Sequence, residues 1–344
     1  MYVVLDETGS FRDSTKKRFG IVTLVTITDA EWSSFQKFMD RLFPQGLMGV
    51  KGKTINDEVR KKVLNYINAH QEIKYTSFIY DLTSEDETWV ERHCTETIKK
   101  AEEKIVEMGD QLQPSYVDDL RLYFDQLRNY SVGDYAKFVM FTEIFLEWQR
   151  FFQFDYVYTH VSRDEWRMHH IIDTQNQPNK FIRLVQATMI LTTSELNHKY
   201  SIYTPEEWDA EHPYLVYHSE NGDVHHHNAK KFFEDFIIGS EQEHLQLFLP
   251  DFIGYTIMSS ITKRNEKKWL KNLYKLWPNR SLALSHGGKK DYYRVTGFDK
   301  SRDRSSVNFA IKEHFQLMKS IWQEDPFPNN CFENCHNDLD PRVS

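Results

Sequence analysis

Three acids far apart in the chain, Asp6, Asp173 and Asp251, each adjoin an apolar run. Asp6 closes Tyr2-Val3-Val4-Leu5, Asp173 closes His169-His170-Ile171-Ile172, and Asp251 follows Pro250 at the start of an apolar stretch. Acids that end two buried strands and open a helix can meet at one mouth of an open α/β sheet, where such sheets assemble their ligand sites. A set of oxygen ligands suits a hard cation such as Mg²⁺ or Mn²⁺, and clustered cations stabilise both the attacking and the leaving oxygen at phosphorus. Each acid also has a plainer reading. Asp6 and Glu7 could be solvated turn residues, and Asp251 could simply complement a helix dipole. Glu7 offers a fourth oxygen, to orient a ligand or the attacking water. Consecutive strand residues face opposite sides, so it shares a pocket with Asp6 only if the strand breaks before Gly9. Asp164 rivals Asp173 as the middle acid.

Cations come next. Lys51 and Lys53 flank Gly52 just before a predicted helix, where backbone amides and the two side chains could hold a phosphate; a surface loop is the alternative. Between Lys263 and Arg304 there are thirteen Lys and Arg against four Asp and Glu, in a chain whose formal net charge is -8. Trp269, Tyr274, Trp277, Tyr292, Tyr293 and Phe298 interleave with them. Cations on phosphates and rings on bases would bind a single strand, with Lys289, Lys290 and Arg294 as candidate contacts. A solvated face whose rings pack inward fits the same composition. His225-His226-His227 cannot all reach one ion and reads as a polar loop. Cys331, Cys335 and His336 supply at most three zinc ligands, so a closed site would need Cys94 as well. No Gly-x-Ser-x-Gly elbow, Walker loop or dinucleotide fingerprint is present.

The elements that must position these residues follow from periodicity. Tyr2 to Asp6 predicts a buried strand, Phe19 to Ile27 a second strand in a hairpin with it, and Ile73 to Leu82 a third. Ala30 to Phe43 predicts an amphipathic helix closed by Pro44. A second helix starts with Thr54 as N-cap and Asp57 in its first turn, with Ile55, Val59, Val63 and Ile67 as its stripe. Ser84-x-x-Glu87 is a capping box that opens a charged helix to about Met108, followed by helices over Tyr116 to Arg128 and Tyr135 to Phe152. The last of these is apolar on nearly every side, which predicts burial between this block and the sheet. Asp155 to Val161 and Met168 to Ile172 predict strands and Phe181 to Thr192 a helix. Phe232 to Ile238 is ambiguous, and Pro250 begins a helix from Asp251 to about Ile261.

An acid ending the first strand, another ending a later parallel strand and a third opening the last core helix resemble the arrangement of RNase H-like nucleases. The opening Tyr2-Val3-Val4-Leu5-Asp6-Glu7-Thr8-Gly9 resembles the Asp-Glu-Ser-Gly start of domain-of-unknown-function family 3800. Val50-Lys51-Gly52-Lys53 before a Lys/Arg-rich helix resembles its Glu-x-Lys-Gly segment, and Leu247 to Gly254 its Gln-Leu-Ala-Asp segment. Thr8 replaces the family's serine, Gly49 stands where it commonly has glutamate, and Phe248 where it commonly has glutamine. The resemblance implies an RNase H-like α/β fold and metal-dependent phosphodiester chemistry, with Asp6, Asp173 and Asp251 holding Mg²⁺ or Mn²⁺, in a mobile-element or phage-defence setting.

The expected architecture is therefore an RNase H-like mixed sheet flanked by helices, its core formed by 1-83 and 153-262. A helical insertion spans 84-152 and a basic extension 263-344. At 40% hydrophobic residues the chain can fill a core. It carries no run of the ~18 to 20 apolar residues that a bilayer span requires and no signal-peptide pattern at its start. Three cysteines make no disulfide framework. A cytoplasmic protein without membrane contact is expected, with RNA or DNA as partner and room for a protein partner or a homo-oligomer. Metal-dependent nuclease is the leading expectation. A catalytically inactive nucleic-acid-binding or assembly protein on the same fold is the alternative, and a nucleotide phosphohydrolase the third.

Overall fold

The computed structural model describes residues 1–9, 19–70, 72–81, 87–109, 114–151, 169–173, 215–218, 224–227, 236–239, 243–263, 268–269, 284–286, 289–291 and 293–296. Val3, Val4 and Leu5 are all buried, so the first strand is covered on both faces and its apolar run is that of a central strand. This strand, β1 (Tyr2–Gly9), pairs antiparallel with β2 (Phe19–Ile27) from Tyr2↔Ile27 to Gly9↔Gly20. It runs past the expected end at Asp6 because Glu7 and Thr8 still find partners in Val22 and Ile21. Gly9 then takes φ 109°, a conformation open to glycine.

β3 (Lys74–Asp81) extends the meander antiparallel to β2. On the other side of β1 the pairing becomes parallel, first with β4 (His169–Asp173), to which β7 (Phe236–Gly239) is then added. Two short hairpins form from β5 (Leu215–His218) with β6 (Val224–His227), and from β8 (Leu284–His286) with β9 (Lys289–Asp291). β10 (Tyr293–Thr296) joins β3 in parallel, giving a mixed sheet of order β10-β3-β2-β1-β4-β7. Tyr293–Thr296 of the basic extension thus contributes an edge strand. His225 to His227 lie in a strand, a correction to the loop expected there.

On one face of the sheet lie α1 (Asp29–Leu42), α2 (Asp57–Ala69) and α6 (Phe248–Thr262). Their Trp32, Phe35, Met39, Val63, Leu64, Phe252 and Ile257 form one core with Ile21 and Val25 of β2. Thr28 caps α1 by accepting from the Glu31 amide. Asn56, not Thr54, caps α2, accepting from the Val59 amide, while the Thr54 hydroxyl donates to the Lys51 carbonyl and closes a 3-10 turn over Gly52–Thr54. Pro250 sits inside the first turn of α6, where its missing N–H costs nothing. α3 (Glu87–Met108), α4 (Pro114–Leu127) and α5 (Val132–Phe151) form the helical block, and α5 lies against β2 and β3. Among the described residues no helix is long and apolar enough to cross a membrane. The strand expected at Asp155 to Val161, the helix at Phe181 to Thr192, Ser84, Asp164 and the Cys331, Cys335 and His336 group lie outside the described residues.

Candidate functional site

The parallel register of β1 and β4 runs Tyr2↔His169, Val3↔His170, Val4↔Ile171 and Leu5↔Ile172. One step further, the neighbours are Asp6 and Asp173. Val4 and Ile171 pack with Leu247 on one face of the sheet. Strand alternation puts Asp6 and Asp173, each two residues beyond those, on the same face. Asp6 is 6% exposed and Asp173 5%. Both acids thus lie at the carboxyl end of the described β1–β4 register, the end at which parallel sheets usually bind ligands. The Glu7 amide donates to Asp6 Oδ1 at 2.7 Å, which fixes that carboxylate against its own strand.

Helix α6 carries the third acid on the same side of the sheet. Leu247 at its start meets Val4 and Ile171. Two turns later Gly254 lies so close to β1 that an added Cβ would be 2.5 Å from Thr8 Oγ1 and 3.1 Å from Thr23 Oγ1. Asp251 is four residues after Leu247 and three before Gly254, hence on the same helix side, between contacts to the strand residues that bracket Asp6. Its Oδ2 accepts from the Gly52 amide at 2.6 Å. Burial pushes its carboxyl above the ordinary value, partly offset by that amide and by the charges of Lys51 and Lys53. The charges of both lysines thus reach Asp251.

Other candidates separate. Because β1 remains a strand through Gly9, Glu7 faces away from Asp6, and its Oε1 pairs with Lys137 Nζ of α5 at 2.6 Å. Lys289 and Lys290 lie in β9, and Arg294 in β10, opposite Phe78 of β3. β10 is three strands from β1 and on the far side from β4, roughly 14 Å at the usual inter-strand spacing. Cys94 is buried in α3, and burial raises its thiol to about 11, which leaves it protonated and a poor metal ligand at neutral pH. Among the described residues no three His, Cys, Asp or Glu side chains converge closely enough to hold a metal ion.

Two groups of residues were missed from the sequence. Asp6 pairs with Thr23, and Thr23 with Ser77, so Asp173, Asp6, Thr23 and Ser77 form a buried polar row across four strands. The Thr23 and Ser77 hydroxyls are 2.9 Å apart. The signal was a threonine amid the apolar residues of β2, legible only once the hairpin register is known. Thr8 adds a buried hydroxyl on the same face with no hydrogen-bond partner among the described residues. The second is Arg60, which shares the buried side of α2 with Val63, Leu64 and Ile67. The stripe expected through Val59 recurs every fourth residue and drifts off a 3.6-residue period.

No family model, no curated protein and no solved structure matches the chain.

Proposed function

We propose that the chain is an RNase H-like, metal-dependent nuclease. The observation that carries this reading is the placement of Asp6 and Asp173, both buried, one step beyond the described β1–β4 register, on the face over which a helix carries Asp251. An antiparallel meander continued by parallel strands and the opening Asp-Glu-Thr-Gly motif support it. By type the donors suit a hard dication, since all three acids offer oxygen and the buried Thr8 hydroxyl is another oxygen on that face. No three acids converge to metal-binding distance among the described residues, so a bound ion would have to draw them together. Asp6, Asp173 and Asp251 would hold Mg²⁺ or Mn²⁺, which supplies charge stabilisation at phosphorus when bound. Lys51 and Lys53 would grip substrate phosphates beside Asp251. Glu7 belongs instead to the contact between sheet and helical block.

The test is cleavage of labelled single-stranded RNA and DNA with Mg²⁺ or Mn²⁺. Asp6→Asn and Asp173→Asn should each lower turnover about a hundredfold or more, the upper range seen even for residues behind a ligand. Turnover unchanged in either variant removes the reading. A second reading, an inactive nucleic-acid-binding or assembly protein, is favoured by Gly49 in place of an acid and by the lack of three converging ligands among the described residues. It predicts oligonucleotide binding that is indifferent to chelators and never followed by cleavage.

A further inference from the structure

Arg60 is 4% exposed, and burying a guanidinium is costly unless it is surrounded by acceptors. Its Nη2 donates to the Gly52 carbonyl at 3.1 Å and to the Ile55 carbonyl at 3.3 Å. Its guanidinium carbon lies 5.3 Å from the ring centre of Tyr255 on α6 and 5.9 Å from that of Trp269, within cation–π range. Gly52 is thus held through both of its peptide groups: its carbonyl accepts from Arg60, and its N–H donates to Asp251. There is no slack between turn and helix, since a Cβ on Gly52 would lie 2.9 Å from the Phe252 Cα and 3.1 Å from the Asp251 carbonyl oxygen.

We propose that Arg60 is a positioning residue for this site, a latch that holds the Lys51-Gly52-Lys53 turn down on α6. The latch keeps the Gly52 amide on Asp251 and the charges of Lys51 and Lys53 near that carboxylate. Arginine suits the task because one terminal nitrogen of its guanidinium donates to both carbonyls while the planar face of the group lies on aromatic rings. Arg60 is linked to Asp251 through Gly52, whose carbonyl it holds and whose N–H donates to that carboxylate. The consequence for phosphate binding rests on the nuclease reading above, whereas the latch does not.

Both halves are tested on the full chain. Amide hydrogen exchange at residue 52 reads the latch alone. Arg60→Met should exchange there about tenfold faster or more, the change that loss of one charge-assisted hydrogen bond implies, with the core strands still protected. Gly52→Ala reaches the same end without altering Arg60 and should show the same local gain. If Arg60→Met does not fold, Arg60→Lys, which has no planar face to lie on Tyr255 and Trp269, and Gly52→Ala decide. Unchanged exchange at residue 52 in a folded Arg60 variant, or in Gly52→Ala, overturns the latch.

The salt dependence of binding a fluorescent single-stranded oligonucleotide reads the positioning role. Arg60→Met should reduce the log-log slope as much as the Lys51→Ala/Lys53→Ala double variant does, roughly 0.7 for each phosphate no longer neutralised. Adding Arg60→Met to that double variant should reduce it no further. Faster exchange with an unaltered slope would make Arg60 a structural brace only and contradict the proposal. Absence of oligonucleotide binding by the unsubstituted protein counts against the nuclease reading and leaves the exchange result to decide the latch.

Discussion

One step beyond the described β1–β4 register and almost wholly covered, Asp6 and Asp173 put two carboxylates on one face of the sheet where their charges repel and water is scarce. Such a pair favours either a shared proton or a bound cation. Asp6→Asn and Asp173→Asn should therefore each raise stability in metal-free buffer at neutral pH. Urea denaturation measures this, and a loss of stability in both variants would show that the carboxylates are held by favourable contacts instead. His170 faces the other side of β4, wholly buried. Burial foremost, then His169 and the N-terminal charge, depress it to about 3. It is neutral in the folded chain and titrates near 6.5 when unfolded. Its contribution is thus complete above 6.5 and is lost as pH falls from there toward 3, at up to about 1.4 kcal/mol per pH unit. His170→Leu should flatten stability over that window, and parallel pH profiles for the two proteins would refute the assignment.

Among the elements, α6 matters most because its distance from the sheet sets how the acids meet. Gly254→Ala would drive a methyl group against Thr8 and Thr23 and should destabilise by about 1 to 3 kcal/mol, the usual range for overpacking. Thr8→Ala in the same chain removes the nearest atom and should recover part of the loss. A Gly254→Ala variant as stable as the parent would mean that the helix seats loosely. Much at this scale was legible. Phe19 to Ile27 reads as a strand from its β-branched residues, and α1 and α6 read from helical periodicity to within a few residues. What was not legible depends on partners distant in sequence. Asp-Glu-Thr-Gly looks like a turn until Val22 and Ile21 are seen to pair with it. No local pattern announces that Tyr293–Thr296 pairs with β3, or that Thr23 lies beside Asp6.

For the whole molecule, the sheet is covered differently on its two faces. The acids lie beneath α1, α2 and α6, while α5 packs on the face toward which Glu7 points. Phe138, Met140, Phe141 and Ile144 of α5 are all buried. Deleting residues 84 to 152 would therefore expose apolar surface on both partners and strand Glu7 without Lys137. The expected product is an insoluble or molten chain, read by near-UV circular dichroism and gel filtration. A folded, monomeric deletion variant would show that the helical block is an independent module.

The nuclease reading depends above all on the three acids sharing a cation. Binding of Mn²⁺ to the full chain, followed by electron paramagnetic resonance, tests this without requiring knowledge of the substrate. The unsubstituted protein should bind Mn²⁺, with Mg²⁺ competing, and Asp6→Asn and Asp173→Asn should each weaken binding at least tenfold, as loss of one anionic ligand from a shared site demands. Absence of Mn²⁺ binding, or equal binding by all three proteins, would contradict the metal site at its centre.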